Sequence, residues 1–265
     1  MPNKMVALTT VASSGIGLPL RKTIMYSHEQ RTTNHISIRA SLATTPHAVG
    51  LSHAILEEIV ASGRSRVAAC GSAIHRAGEP FHSLYFLRSG AAKRVLVQED
   101  GREQILGFPM PGDLIGMEAI DGGSHSTTVI ALDLCAVVEI PFDAVEGLHA
   151  DNPAIARFLY RLMSAALRDE HGWVAALGLL SADERVAAFL LDLSHRFSAR
   201  GFSAQRFMLR MTRAEIGSFL GLTLETVSRV FSRFQKLGLL NVTRREIELL
   251  DMKVLHSLAH SRVLQ

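Results

Sequence analysis

The apolar residues change their spacing along the chain, and each spacing predicts a different kind of structure. Short runs of apolar and β-favouring residues, separated by glycines at roughly ten-residue intervals, extend from about residue 67 to residue 142. Such runs are typical of an all-β barrel or jelly roll. A short amphipathic helix over residues 51–60 precedes them. From residue 153 onwards apolar residues recur every three or four positions, which predicts helices and therefore an α+β fold.

A long helix is predicted to begin at Asn152-Pro153, because Asn is a favoured N-cap and Pro a favoured first helical residue. Its apolar positions form a seam long enough to pair with the same helix of a second chain. The carboxylates of Asp169 and Glu170 interrupt this seam and oppose the pairing. A helix that packs only on its own domain is the alternative. The predicted dimer contacts are Ile155, Leu159, Leu162, Ala166, Leu167, Glu170, Trp173 and Leu177.

The C-terminal part has the spacing of a helix-turn-helix. A capping box from Thr212 to Glu215 opens a helix over residues 213–220, and a glycine-containing turn leads to a second helix over residues 224–236. Two apolar runs then flank Arg244-Arg245, which predicts a small β-wing. A plain pair of helices without DNA contacts is the alternative.

The second helix of this motif presents charged and hydroxyl side chains at helical spacing. Arginine can bind guanine O6 and N7 or a phosphate, and a carboxylate can accept a hydrogen bond from cytosine N4. Arginines at the tip of a wing can contact backbone phosphates. The predicted DNA contacts are Thr212, Arg213, Thr223, Glu225, Thr226, Ser228, Arg229, Arg233, Arg244 and Arg245.

Composition and charge agree with a globular, DNA-binding protein. No apolar run approaches the roughly 18 residues that a bilayer crossing needs, so no membrane partner is expected. Residues 1–180 carry 15 Lys and Arg against 17 Asp and Glu, whereas residues 181–250 carry 11 against 7. A basic C-terminal part suggests a polyanionic partner. Two cysteines, Cys70 and Cys135, suit a reducing cytoplasm.

Three motifs carry a family resemblance. Residues 78–90, GEPFHSLYFLRSG, and residues 111–116, PGDLIG, resemble the cyclic-nucleotide-binding-type β-roll of the CRP/FNR superfamily of transcription regulators. Residues 211–229, MTRAEIGSFLGLTLETVSR, are similar to the DNA-binding segment of its FNR-type members. The resemblance implies a sensory β-roll, a dimerisation helix and a winged helix-turn-helix. It also implies a cytoplasmic, homodimeric regulator, an activator in our interpretation, with DNA and RNA polymerase as partners.

The resemblance further implies which DNA half-site is bound. FNR-type members contact TTGAT through a Glu-x-x-Ser-Arg set, which here is Glu225, Ser228 and Arg229. Cyclic-AMP-type members carry an arginine before that glutamate, where this chain has Leu224. Cyclic-nucleotide binders also pair an arginine with the phosphate. That position falls on Thr127 here, so a cyclic nucleotide is not expected.

The oxygen-sensing [4Fe–4S] cluster of FNR-type members requires four thiolates. This chain has 2 Cys in all, none of them in the arm over residues 35–50, and it has Val138 at the cysteine position of the roll. We therefore expect no cluster, no other cofactor and no metal. The histidines of the first half are interpreted as solvated loop residues; they are His28, His35, His47, His53, His75 and His82.

Residues 5–17, MVALTTVASSGIG, resemble the opening of a short-chain dehydrogenase, but Val11 replaces the first glycine and Pro19 interrupts the helix. An enzyme is therefore not expected. A regulatory module for another small ligand or haem, with DNA binding secondary, is the alternative function. The predicted division is a mostly flexible arm over residues 1–50, a β-roll sensor over 51–150, a dimerisation helix over 151–180, a DNA-binding domain over 181–252 and a tail over 253–265.

Overall fold

The computed structural model describes residues 59–259 of the 265-residue chain. The predicted arm, nearly all of the helix predicted over residues 51–60 and the last part of the predicted tail lie outside the described residues. Within the described part eight strands precede the long helices and three short strands lie among the C-terminal helices, so the predicted α+β class is confirmed. None of the helices in residues 59–259 combines the length and apolar character that crossing a bilayer requires.

Eight strands form the predicted β-roll, as two four-stranded antiparallel sheets. The strands are β1 (Arg64–Ala68), β2 (Ala73–His75), β3 (Ser83–Ser89), β4 (Ala92–Val97), β5 (Glu103–Gly107), β6 (Leu114–Ile115), β7 (Thr128–Ala131) and β8 (Cys135–Pro141). One sheet has the order β1-β8-β3-β6 and the other β2-β7-β4-β5. Alternate residues of a strand point to opposite faces. Leu87, Val129 and Val137 therefore meet in a core to which both sheets contribute.

Two helices follow the roll, α1 (Phe142–Asp151) and α2 (Pro153–Leu179). The Asn152 side chain accepts a hydrogen bond from the Ala154 amide and Pro153 takes the first helical position, so the predicted start of α2 is confirmed. The helix has 27 residues and is therefore about 40 Å long. This length carries α2 past the roll to the C-terminal domain.

The C-terminal domain combines a helix-turn-helix with a small antiparallel sheet. Its elements are α3 (Ala182–Ser198), β9 (Arg206–Met208), α4 (Arg213–Leu220), α5 (Leu224–Lys236), β10 (Leu240–Thr243), β11 (Glu246–Leu249) and α6 (Met252–Leu258). The sheet has the order β10-β11-β9, so β9 adds a strand to the predicted two-stranded wing. α6 packs on α3 and buries Leu255, so a helix occupies residues where a tail was predicted.

The roll and the C-terminal domain share one apolar core. The ring of Phe219 in α4 lies 5.5 Å from that of Phe108 in the roll, 4.7 Å from that of Trp173 in α2 and 5.9 Å from that of Phe189 in α3. Tilted and edge-to-face aromatic pairs stabilise beyond the area that they bury. One side chain thus connects the sensor, the long helix and the DNA-binding domain.

An ionic contact joins the same two parts of the chain. Asp113, in the turn before β6, accepts a hydrogen bond from Arg196 of α3 at 3.0 Å and another from Arg200, just after α3. Arg200 is only 4% exposed. Burial lowers the pKa of Arg200, and the Asp113 carboxylate acts in the opposite direction. The carboxylate therefore supplies the counter-charge that a buried guanidinium needs.

We predict that Asp113→Ala destabilises the protein by about 3 kcal/mol, because the variant leaves a buried arginine without its counter-charge. Urea unfolding followed by circular dichroism measures the loss. Asp100→Ala is the matched control, since Asp100 pairs with Arg102 at 2.7 Å on the surface. That variant should change the stability by about 0.5 kcal/mol or less. Equal losses in the two variants would contradict the prediction.

Candidate nucleic-acid interface

Side-chain hydrogen bonds fix the ends of the two helices of the motif. The Thr212 hydroxyl accepts from the Glu215 amide at 3.2 Å, and the Glu215 carboxylate accepts from the Thr212 amide at 2.7 Å. The predicted capping box is therefore confirmed. Gly221 ends α4 in the left-handed conformation, with φ 62°. The Thr223 hydroxyl then accepts from the Thr226 amide at 3.2 Å and caps α5.

The close approach of α4 to the turn depends on a glycine inside α4. A Cβ on Gly217 would lie 2.6 Å from the Leu222 carbonyl oxygen and 3.4 Å from the Thr223 carbonyl carbon. The Leu222 amide also donates to the Gly217 carbonyl at 2.9 Å. The relative position of the two helices is therefore set by a direct contact between backbones that a side chain would disrupt.

α5 separates a buried apolar face from an outer polar face. The buried residues are Val227, Val230, Phe231 and Phe234. On the other face Glu225 and Arg229 are exposed and Ser228 is half-buried. Residues three and four positions apart are neighbours on a helix surface. The structure therefore brings these three predicted DNA contacts together on the outer face of α5.

Glu225 is held in its ionised form. Its own backbone amide and then the Thr223 hydroxyl lower the pKa of Glu225 below its usual value, and the charge of Arg229 acts in the same direction. An ionised carboxylate only accepts hydrogen bonds. The outer face of α5 thus presents one strong acceptor beside one guanidinium donor.

Two of the predicted arginine contacts have partners inside the protein. The guanidinium of Arg213 lies 3.4 Å from the ring centroid of Phe231, and burial lowers the pKa of Arg213 to about 10, so the group is still charged at pH 7. Nη1 of Arg233 lies 3.1 Å from Oδ2 of Asp183, in a partly exposed pair. Releasing such a pair costs about 1 kcal/mol or less. Arg233 is therefore easily redirected, whereas Arg213 is held by packing.

The wing presents two arginines at its tip. Thr243 pairs with Glu246 across the hairpin, so Arg244 and Arg245 form a two-residue turn. Arg244 has φ 58°, the one positive φ outside glycine within residues 59–259, and tight hairpins favour this conformation. Both side chains are exposed. The turn therefore projects two positive charges from the same domain as the outer face of α5.

The apolar residues of α2 lie on two faces of the helix. The predicted set of dimer contacts contains residues from both faces. Ile155 and Leu162, predicted as dimer contacts, are buried against the roll of their own chain together with Phe158. Trp173 packs against Phe219 of α4. These three predicted contacts are therefore used inside the protomer, because the roll and α4 cover that side of the helix.

The opposite face of α2 carries an exposed apolar stripe. Its large members, which are 43–69% exposed, are Tyr160, Met163, Leu167 and Val174. They alternate at spacings of three and four with Glu170 in the same series, which is the heptad pattern of a coiled coil. Leu167 and Glu170 are thus the predicted contacts that lie on the stripe. The other predicted contacts, Leu159, Ala166 and Leu177, are half-buried.

The carboxylate of Glu170 has a cation within its own chain. Nη2 of Arg94, in β4, lies 2.8 Å from Oε1 of Glu170. Two copies of α2 would therefore bring together two carboxylates that each have a counter-charge. The repulsion predicted between them is correspondingly weaker.

Within residues 59–259, the roll differs at the positions predicted for a cyclic phosphate and for a [4Fe–4S] cluster. Thr127, at the position predicted for the phosphate-binding arginine, donates its hydroxyl to the Glu118 carboxylate at 3.1 Å. Cys70 is exposed, and Cys135 is buried, where desolvation raises its pKa. With 2 Cys in the whole chain, one protomer cannot supply four thiolates.

The interpretation of His75 as a solvated loop residue is wrong. His75 is 1% exposed, and its ring stacks on the ring of His125 with 3.9 Å between the centroids. The sequence interpretation missed His125 because the two histidines are far apart in the chain, outside the short spacings of familiar metal motifs. The pairing of β2 with β7, where His75 lies opposite Val129, is what brings them together.

Comparisons with known proteins agree with this architecture. Residues 65–152 match the cyclic nucleotide-binding domain family and residues 184–258 match the Crp-like helix-turn-helix domain family. The transcriptional activator protein anr of Pseudomonas aeruginosa is 45% identical over 204 residues, which cover 77% of this chain and 83% of that protein. The fumarate and nitrate reduction regulatory protein of Yersinia pestis is 42% identical over 189 residues, 71% and 76% of the two chains. FixK2 from Bradyrhizobium japonicum has a similar structure, with a TM-score of 0.69 and 32% identity over 74% of this chain and 96% of that one.

Proposed function

The chain belongs to the CRP/FNR family of DNA-binding transcription regulators, and on this premise we propose that it activates transcription by binding FNR-like TTGAT palindromes as a homodimer, without an iron–sulfur cluster. The observation that carries the proposal is the outer face of α5, where Glu225, Ser228 and Arg229 stand together. Relatives are named transcriptional activators, which supports activation and RNA polymerase as a partner.

The proposed half-site is the one that the resemblance to FNR-type members implies, and the chemistry of this face is compatible with it. Arg229 is exposed and can donate two hydrogen bonds to guanine, and the ionised Glu225 can accept from the amino group of cytosine. The side chain of Leu224, which precedes Glu225, has no hydrogen-bond donor. The proposed contacts therefore include no second guanine contact from this position, where the cyclic-AMP-type members have an arginine. This donor and acceptor set suits TTGAT rather than the TGTGA arms of the cyclic-AMP-type members.

The remaining predicted contacts are proposed to bind the DNA backbone. Thr212 and Thr223 lie at the N-termini of α4 and α5, where helix dipoles attract phosphates. Arg244 and Arg245 at the tip of the wing are exposed, and their positive charges can contact the DNA phosphates. These contacts fix the register of the domain on DNA and carry no sequence information.

A palindrome requires two DNA-binding domains related by a two-fold axis. The apolar stripe of α2, with Leu167 near its centre, is the surface that we propose for this pairing. Its heptad spacing suits two parallel copies of the helix. Glu170 lies on the stripe but is paired with Arg94, so the apolar contacts outweigh the repulsion and the dimer is constitutive.

We predict that wild-type protein binds duplexes with TTGAT arms far more tightly than duplexes with TGTGA arms at fixed salt. Arg229→Ala should lose about 1–3 kcal/mol on TTGAT, because a bidentate guanine contact is removed. Fluorescence anisotropy over a salt series measures both affinities.

Arg245→Ala is the control for this experiment. It should weaken binding to both duplexes alike and lower the salt slope by about 1, as the loss of a phosphate contact does. Equal affinity of the wild type for the two kinds of arm would overturn the proposed half-site.

We predict that the DNA affinity is the same in air and under argon, because no cluster is present to respond to oxygen. Anaerobically purified protein should contain no stoichiometric acid-labile sulfide. Sulfide at cluster stoichiometry, with DNA binding lost on exposure to air, would contradict this prediction.

We predict opposite effects of the two members of the Glu170–Arg94 pair on the dimer. Glu170→Ala should tighten it, because a carboxylate leaves the apolar stripe, and Arg94→Ala should loosen it, because the carboxylate loses its counter-charge. Each effect should be about 1 kcal/mol or less, since the pair is partly exposed.

Sedimentation velocity over a concentration series measures the dimer equilibrium. Leu167→Ala serves as a reference that should weaken the dimer through lost packing. If Glu170→Ala leaves the equilibrium unchanged or weakens it, the side chain lies off the interface and the proposed pairing of α2 fails.

A further inference from the structure

Two histidines and a glutamate meet in the interior of the β-roll. His75 ends β2, His125 lies in the segment before β7, and Glu118 belongs to the 3-10 turn Met117–Ala119 after β6. The atoms that these side chains could offer to an ion all lie within 4.8 Å of one another. Nδ1 of His125 is 3.5 Å from Oε1 of Glu118. Three separate segments of the sensor therefore converge on one point.

The ring nitrogens of this cluster are buried and poorly satisfied. Among residues 59–259, neither Nδ1 nor Nε2 of His75 or His125 makes a hydrogen bond of good geometry. The contacts they do have are the 3.5 Å approach of His125 Nδ1 to Glu118 and an interaction of His75 with the Thr127 backbone. Each such nitrogen costs about 1–3 kcal/mol, and native proteins contain few of them. Poorly satisfied nitrogens concentrated at one place indicate a site for an electron-pair acceptor.

The surrounding residues hold the two rings in the interior. Tyr85 stacks on His75 with 5.5 Å between centroids, and Phe81 meets His125 edge-on at 5.7 Å. A Cβ on Gly116 would lie 3.1 Å from Cε1 of His125, and φ at this glycine is 95°. The glycine therefore leaves room for the His125 ring where another residue would crowd it.

The cluster offers donors both inside the roll and at its surface. His75 is 1% exposed and His125 is 3% exposed. The Glu118 side chain is 23% exposed and connects the buried rings with solvent. An ion therefore has two imidazole donors inside and a carboxylate donor at the entrance.

We propose that His75, His125 and Glu118 bind a divalent transition-metal ion, of the class of Zn²⁺ or Fe²⁺. Two imidazoles and one carboxylate are typical ligands of both ions. Ligand atoms around a tetrahedral ion lie about 3.3 Å apart, close to the distance between His125 and Glu118. Binding requires the stacked rings to turn so that one nitrogen of each points at the ion, and the remaining positions of the ion are left to water or a small ligand.

Tag-free, full-length protein stripped with a chelator tests this site with Zn²⁺ and Co²⁺ as probes. After gel filtration the wild type should retain about one equivalent of either ion per protomer, measured by mass spectrometry. Bound Co²⁺ should give visible ligand-field absorption that Zn²⁺ abolishes by displacing it.

Two variants preserve packing while removing a donor. His75→Phe keeps an aromatic ring against Tyr85, and Glu118→Gln keeps the size of a side chain at the rim. Each should weaken Co²⁺ binding about tenfold or more, with an unchanged far-ultraviolet circular dichroism spectrum. His82→Ala removes an exposed histidine and should bind Co²⁺ as the wild type does.

A wild type that retains neither ion after gel filtration would overturn the proposal. So would wild-type affinity in folded Glu118→Gln together with wild-type affinity in His75→Phe. Loss of binding in His82→Ala alone would assign the ion to surface histidines and overturn it as well. The experiment contains no DNA, so its outcome is independent of the proposed half-site and of the proposed dimer.

Discussion

The relation between sensor and DNA-binding domain depends on the packing of Phe219. Because its ring contacts the roll, α2 and α3 together, α4 turns its apolar side inward. Polar contacts secure the same placement: the Ile105 amide donates to the Ser218 hydroxyl at 3.1 Å, and Lys93 lies 2.8 Å from Glu215. Burial alone would raise the pKa of Glu215, but hydrogen bonds from Lys93 and the Thr212 amide lower it. With α4 engaged in this way, α5 is the helix whose outer face is open to DNA.

α2 likewise uses different sides of the helix for different contacts. A helix that packs on the roll through Phe158 and on α4 through Trp173 has one further side, and that side carries the apolar stripe. An exposed stripe of this kind is unfavourable in water unless a second surface covers it. The Glu170 carboxylate makes association through the stripe less favourable, and its ion pair with Arg94 reduces that effect. The strength of association through α2 therefore depends on the Glu170–Arg94 ion pair within one protomer as well as on the apolar contacts between two protomers.

Local features of this fold were predictable from the sequence, and contacts between distant segments were not. The capping box, the glycine-containing turn and the strand pattern depend on residues a few positions apart, so the start of α4 at Thr212 was predicted correctly. The apolar periodicity of α2 was also correct, but periodicity does not say which of two partners covers a residue, so Ile155 was assigned to the wrong face. His75 and Asp113 depend on pairing across the roll and on the docking of α3. Those contacts exist only after the chain has folded.

The chemistry of the roll indicates the sign of the charge that its interior tolerates. An anionic effector would meet the Glu118 carboxylate, and at the position predicted for the guanidinium of cyclic-nucleotide binders it would meet Thr127, whose hydroxyl already donates to that carboxylate. A cation is favoured by the same arrangement, because the carboxylate attracts it and the two imidazoles offer nitrogen donors. Glu118 follows closely after Asp113, whose carboxylate holds Arg196 and Arg200 of the DNA-binding domain. The same segment thus carries one member of the histidine cluster and one member of the polar link between the two domains. An effector bound there can shift the domain arrangement only by the difference in its affinity for the two positions of the segment.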